Sequence, residues 1–114
     1  MARKWIGVDL DGTLAHDEPG RLPGVIGEPI PAMVLRVKLW LAEGREVRIF
    51  TDRASHPEFT MAQHRELQEW CERHLGKVLP ITCIKDWEME VIYDDRAVQV
   101  VRNTGHTLRE YEGW

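Results

Sequence analysis

Cysteine is scarce in this 114-residue chain, which carries only Cys71 and Cys83. Two thiols outside any CxxC arrangement exclude a disulfide scaffold and a cysteine-built zinc site. They make a reducing, cytoplasmic setting the expected one. Long apolar runs are missing too. No stretch reaches the length of a signal peptide or a membrane span, so no membrane association is expected. Positive charge is not in excess: 15 Lys and Arg stand against 19 Asp and Glu, for a formal charge of −4. That balance argues against a protein that grips nucleic acid mainly through its phosphates, while leaving a local basic groove open. No repeat, low-complexity tract or linker divides the sequence, and its length fits one domain spanning 1–114.

The residues that are present alternate between strand-like and helix-like patterns. Trp5 to Val8 is short, apolar and stopped by an acid, the pattern of a buried strand whose carboxyl end carries Asp9. Residues 15–30, with Pro19, Pro23, Pro29, Gly20, Gly24 and Gly27, read as a loop or small hairpin. Pro31 suits a first helical turn, Val34, Val37 and Leu41 give helical spacing, and Gly44 is a plausible stop. Val47 to Phe50 reads as a second strand, followed by a helix from about Pro57 or Glu58 to Leu75. That helix buries Leu67, Trp70, Cys71 and Leu75 and ends at Gly76. Ile81–Ile84 and Val91–Tyr93 complete the strand set. Residues 97–104 carry β-branched Val98, Val100 and Val101 yet precede Gly105, and the expectation is a helix with a last short strand near 106–109. Strands alternating with helices imply an α/β fold, a Rossmann-like parallel sheet with helices on both faces. Ligands of such sheets bind outside the carboxyl ends of the strands.

Those ends carry a constellation of polar residues. Asp9 and Asp11 follow the first strand, Thr51 the second, Lys85 the third, and Asp94 and Asp95 the fourth. Carboxylates are hard ligands suited to Mg²⁺, and acids gathered this closely raise one another's pKa unless a cation neutralises them. A lysine and a threonine hydroxyl beside a metal make a phosphate pocket. Gly12 permits a tight turn and close approach of a ligand. Each residue alone has a plainer reading: a turn cap for the Asp9–Asp11 pair, a solvated surface lysine for Lys85, a helix cap for Asp52. Arg53 and Arg96 either contact substrate or pair with Asp95 and other acids, with pairing favoured. The five histidines show no metal-ligand spacing, and His16 lies in the 15–30 loop.

Asp9-Leu10-Asp11-Gly12-Thr13 resembles the DxDGT signature of the haloacid dehalogenase superfamily of phosphohydrolases. Thr51, Lys85 and the Asp94-Asp95 pair resemble that superfamily's second, third and fourth motifs, in order and at strand ends. The resemblance implies a phosphomonoester hydrolase. Asp9 would be the nucleophile that becomes an aspartyl-phosphate and Asp11 the general acid and base. Thr51 and Lys85 would hold the phosphoryl group, with Gly12 and Arg53 lining its seat. Mg²⁺ would lie on Asp9, the backbone carbonyl of Asp11 and Asp94, with Asp95 a ligand through water or an orienting group. Neither the 14–50 nor the 52–84 interval has room for a cap domain, so the implied form is capless, with residues 15–30 as a flap. The Ile92-Tyr93-Asp94-Asp95-Arg96 run is similar to the phosphatase domain of bacteriophage polynucleotide kinases, whose stretch between second and third motifs is longer. The implied substrates are a nucleotide, a sugar phosphate or a 3′-phosphorylated nucleic acid end. A non-hydrolytic phospho-accepting module and a partner-dependent subunit are the other two readings. Asp11 discriminates against the first of these, because receiver-type modules lack an acid two residues after the first. Trp87 and Trp114, expected to be exposed, are the only pointers to a homo-oligomer.

Overall fold

A computed structural model describes residues 3–20, 22 and 24–111. Its first strand, β1 (Trp5–Val8), is buried along its whole length. Helix α1 (Pro31–Ala42) follows, started by proline in its first turn, and leads to β2 (Glu46–Phe50). A 3₁₀ turn at Asp52–Ser55 precedes α2 (Met61–Leu75). Strands β3 (Ile81–Thr82) and β4 (Met89–Tyr93) and a one-turn helix α3 (Leu108–Tyr111) complete the chain. The four strands form one parallel sheet in the order β3-β2-β1-β4. This is the α/β, Rossmann-like arrangement the alternation predicts, and no insertion between its elements has the size of a cap.

Strand order decides where the helices go. From β1 through β2 to β3 the chain steps in one direction, and right-handed crossovers then place α1 and α2 on the same face. Their apolar sides meet the same core: Val37 from α1 and Leu67, Trp70, Cys71 and Leu75 from α2 pack with Ile6, Val8, Val47 and Ile49. The step back from β3 to β4 has only residues 83–88, too few for a helical crossover. The expectation of helices on both faces is thus not met: the β3–β4 connection is too short to form a crossover helix, so among the described residues the second face carries none. It is covered by side chains instead. Trp5 is fully buried there, its indole N–H donates to Asp86 at 2.8 Å, and the Arg48 guanidinium lies 4.5 Å from its ring. Gly7 sits beneath this layer, where a β-carbon would meet Met89 at 2.9 Å.

Two boundaries move for local reasons. Helix α2 begins at Met61 because Thr60 and Gln63 form a reciprocal capping box, with Thr60 Oγ1 accepting from Gln63 N at 3.2 Å. The expected helix at 97–104 does not form. Val100 instead pairs with Thr107 in an antiparallel bridge, and Gly105 serves a turn at φ +76°. The strand expected near 106–109 gives way to α3. The 15–30 segment is the loop expected, closed at its base by Ala15–Pro29 pairing and a His16 N–H to Glu28 carbonyl bond of 2.8 Å. Its Pro23, and Trp114 at the chain end, lie outside the described residues. Among the described residues, no helix is long and apolar enough to cross a membrane.

Candidate active site

The site is a product of strand pairing. The Asp9 N–H donates to the Tyr93 carbonyl at 2.9 Å, one step beyond the Val8–Tyr93 register. That bond sets Asp9, leaving β1, beside Asp94, leaving β4. Pairing of β2 with β1 brings Thr51 to the same edge, where it is buried at 1% exposure. All line one cavity of about 910 Å³, with Asp11, Arg53 and Asp95.

After Asp9 the chain turns sharply. The Leu10 carbonyl accepts from the amides of Thr13, Leu14 and Ala15, and Gly12 adopts φ +91°. A β-carbon at Gly12 would lie 2.7 Å from Asp95 Oδ2, so only glycine lets the turn and the acid lie this close. Thr13, expected only as part of the motif, ties the turn to the fourth strand end. Its hydroxyl lies 3.0 Å from Asp95 Oδ1 and 3.3 Å from Asp9 Oδ2, and accepts from the Asp95 amide at 3.0 Å. The DxDGT pattern holds the signal for this role, since its threonine follows the acids at turn spacing.

Oxygens of Asp9, Asp94 and Asp95 lie within 4.8 Å of one another. Burial, a hydrogen bond to Asp95 and the charges of Asp94 and Asp95 push the Asp9 carboxyl up to about 7. Burial acts upward on Asp95 as well, but the Thr13 hydroxyl and the proton shared with Asp9 hold it below the usual carboxylate range. Three hard oxygen donors at this spacing, whose mutual repulsion a cation would relieve, fit a small divalent ion. Asp11 does not offer its side chain to this group.

Asp11 is instead engaged by Arg53. The guanidinium donates to both carboxylate oxygens at 2.7 Å, and to the flap carbonyls of Gly24 at 3.1 Å and Val25 at 2.9 Å. Its own backbone N–H donates to Thr51 Oγ1 at 3.2 Å. Arg53 is thus a pairing residue, as expected, and the acid it pairs with is Asp11. It couples the turn after β1, the start of the 3₁₀ turn and the flap. Hydrogen bonding to Asp11 raises the Arg53 pKa above its ordinary value despite burial, helped by the charges of Asp11, Asp52 and Asp17.

Lys85 stands apart. It is exposed in the β3–β4 connection, and Cys83 lines the cavity in its stead. Strand β3 ends at Thr82 rather than Ile84, so Lys85 lies three residues past the sheet edge. His16 is also exposed in the flap, near Glu18.

The chain matches no family model and no curated protein. Among solved structures it is similar to a protein described only as a conserved protein from Bacteroides thetaiotaomicron. The two are 26% identical, with a TM-score of 0.57, over 84% of this chain and 78% of the other. That likeness supports the fold and names no activity.

Proposed function

We propose that the chain is a phosphomonoester hydrolase that works through an aspartyl-phosphate on Asp9, with Mg²⁺ held by Asp9, Asp94 and Asp95. One observation carries the reading: a close group of three acids from two strand ends shares a cavity with a fourth acid, Asp11, and a buried hydroxyl, Thr51. A structural turn needs neither the pushed-up carboxyl of Asp9 nor a cavity at its tip.

When bound, the cation would neutralise charge on the phosphoryl oxygens and release Asp9 from its proton. An Asp9 oxygen attacks phosphorus while the bond from phosphorus to the ester oxygen breaks, and Asp11 gives that oxygen a proton. In the second half, Asp11 takes a proton from water as the water oxygen attacks phosphorus. The bond from phosphorus to Asp9 then breaks, and inorganic phosphate leaves. Thr51 donates its hydroxyl to a phosphoryl oxygen. Because Arg53 occupies both Asp11 oxygens, proton transfer requires Arg53 to release one of them, and the flap carbonyls bound to the same guanidinium would shift with it. Lys85 reaches the phosphoryl group only if the β3–β4 connection swings toward the cavity.

The test is hydrolysis of an aryl phosphate with and without Mg²⁺. Activity lost with chelator and in Asp9→Asn supports the reading, and full activity in Asp9→Asn overturns it. Beryllofluoride binding with no turnover of any phosphomonoester would identify a phospho-accepting module instead.

A further inference from the structure

The cavity that holds the Asp9 group carries further charge in its lining. Asp52, Glu58, Phe59 and Gln63 line it as well. Among the described lining residues the cations are Arg53 and Arg96. Arg53 is committed: both Asp11 oxygens and two flap carbonyls take its donors, and Asp52 and Asp17 add to the carboxylates around it. Asp52 and Glu58 are both exposed to the cavity's solvent. Arg96 lies against Asp95, whose pKa its charge helps to lower. His56 apart, the other charged residues in the lining are acids, Asp17, Asp52 and Glu58 among them, so acids outnumber cations there, with the Phe59 ring and the Gln63 amide in the same lining.

A phosphoryl group that is transferred meets Thr51 and the held cation. A second phosphate on the same substrate would meet carboxylates. Resting on the phosphatase reading above, we propose that the site selects phosphomonoesters whose leaving group bears no further phosphate, a sugar or nucleoside monophosphate. Asp52 and Glu58 reject polyanionic leaving groups, nucleic acid ends among them. This is specificity by repulsion: unlike charges are not needed on the correct substrate, and like charges penalise the wrong one. At solvent-exposed spacings each like-charge pair acts weakly, so two carboxylates against one phosphate amount to about tenfold at low salt and fade as salt screens them.

The experiment compares kcat/KM for a nucleoside 5′-monophosphate, the matching 3′,5′-bisphosphate and a 3′-phosphorylated oligonucleotide, at low and high ionic strength. The expected result is a preference of about tenfold or more for the monophosphate at low salt, shrinking at high salt. In the Asp52→Asn, Glu58→Gln double variant the preference narrows severalfold. A preference for either polyanion at low salt, or one unmoved by the double variant, overturns the proposal. A second arm does not depend on turnover. Fluorescence anisotropy of the labelled oligonucleotide with Mg²⁺ and the Asp9→Asn protein should show binding that tightens in the double variant. Tight binding to Asp9→Asn itself, unimproved by the double variant, overturns the proposal. Absence of hydrolysis with every ester, beside the expected anisotropy result, overturns the phosphatase reading and leaves the repulsive wall standing.

Discussion

Replacing Asp94 by Asn should have two effects of opposite sign. Oxygens of Asp9, Asp94 and Asp95 lie within 4.8 Å of one another. A pair of unit charges at that distance repels by about 1 kcal/mol in water and about 3.5 kcal/mol at an effective dielectric of 20. Asp95 is exposed, so the lower end applies to its pairs. At pH 8, where Asp9 is ionised, Asp94→Asn removes two such pairs, and at pH 5 only the pair with Asp95; it keeps the oxygen that accepts from the Arg96 amide at 2.8 Å. The metal-free variant should melt about 2–6 °C above the parent, taking about 0.5–1.5 kcal/mol of relief and about 0.24 kcal/mol/K for a chain of 114 residues.

Mg²⁺ should act the other way round. In the parent, an ion at a hundred times its Kd adds about 2.7 kcal/mol, or about 11 °C. In Asp94→Asn, with one hard donor lost, the shift should be a small fraction of that. Acidity sets the parent's response. Asp9, pushed up to about 7, must release its proton to solvent for its carboxylate to take the ion. Affinity then falls about tenfold for each pH unit below 7, and the same Mg²⁺ concentration at pH 5 should raise the melting temperature by only about 2 °C. Scanning calorimetry at pH 5 and 8, with and without Mg²⁺, measures all of these shifts. Equal Mg²⁺ shifts at the two pH values, or a variant less stable than the parent without metal, would refute the reasoning.

Three further outcomes follow from the geometry. The metal-free parent should lose stability as pH rises, since the folded pKa of Asp9 lies above its unfolded value of 3.8: its contribution is full below 3.8 and gone above about 7, which urea midpoints at pH 3.5, 5.5 and 8 would show. Gly27→Ala should cost roughly 1–3 kcal/mol in denaturant melts, because its β-carbon would sit 2.0 Å from the His16 carbonyl oxygen and force apart the base of the flap. Arg53→Lys keeps the charge but cannot serve two carboxylate oxygens and two carbonyls at once, so amide exchange across 16–28 should quicken severalfold; unchanged exchange would show that Arg53 does not hold the flap.

Much of the sheet was legible in the chain because each strand is an apolar run stopped by a polar residue. Val8–Asp9, Phe50–Thr51 and Tyr93–Asp94 all mark strand ends in the structure. The acid group followed from those ends, since parallel register puts them on one edge. Three features were not legible. The partner of Arg53 depends on how the turn after β1 faces the 3₁₀ turn, which no local pattern encodes. The placement of Lys85 depends on a two-residue β3, shorter than its apolar run of Ile81–Ile84 suggests. Residues 97–104 set β-branched composition against a glycine at a C-cap position, and the valines prevailed through a single bridge to Thr107.

The pairing of β4 with β1 joins the fourth strand in sequence to the first. Asp9 can be close to Asp94 and Asp95 only after a loop of some eighty residues has closed, so the proposed cation site is completed by the longest-range contact in the sheet. If that contact forms after the folding barrier, a bound ion retards the chain's opening while leaving its rate of closing almost unchanged. The cation would then act as a clasp on the finished fold: its loss would shorten the lifetime of the native state without making the chain harder to fold.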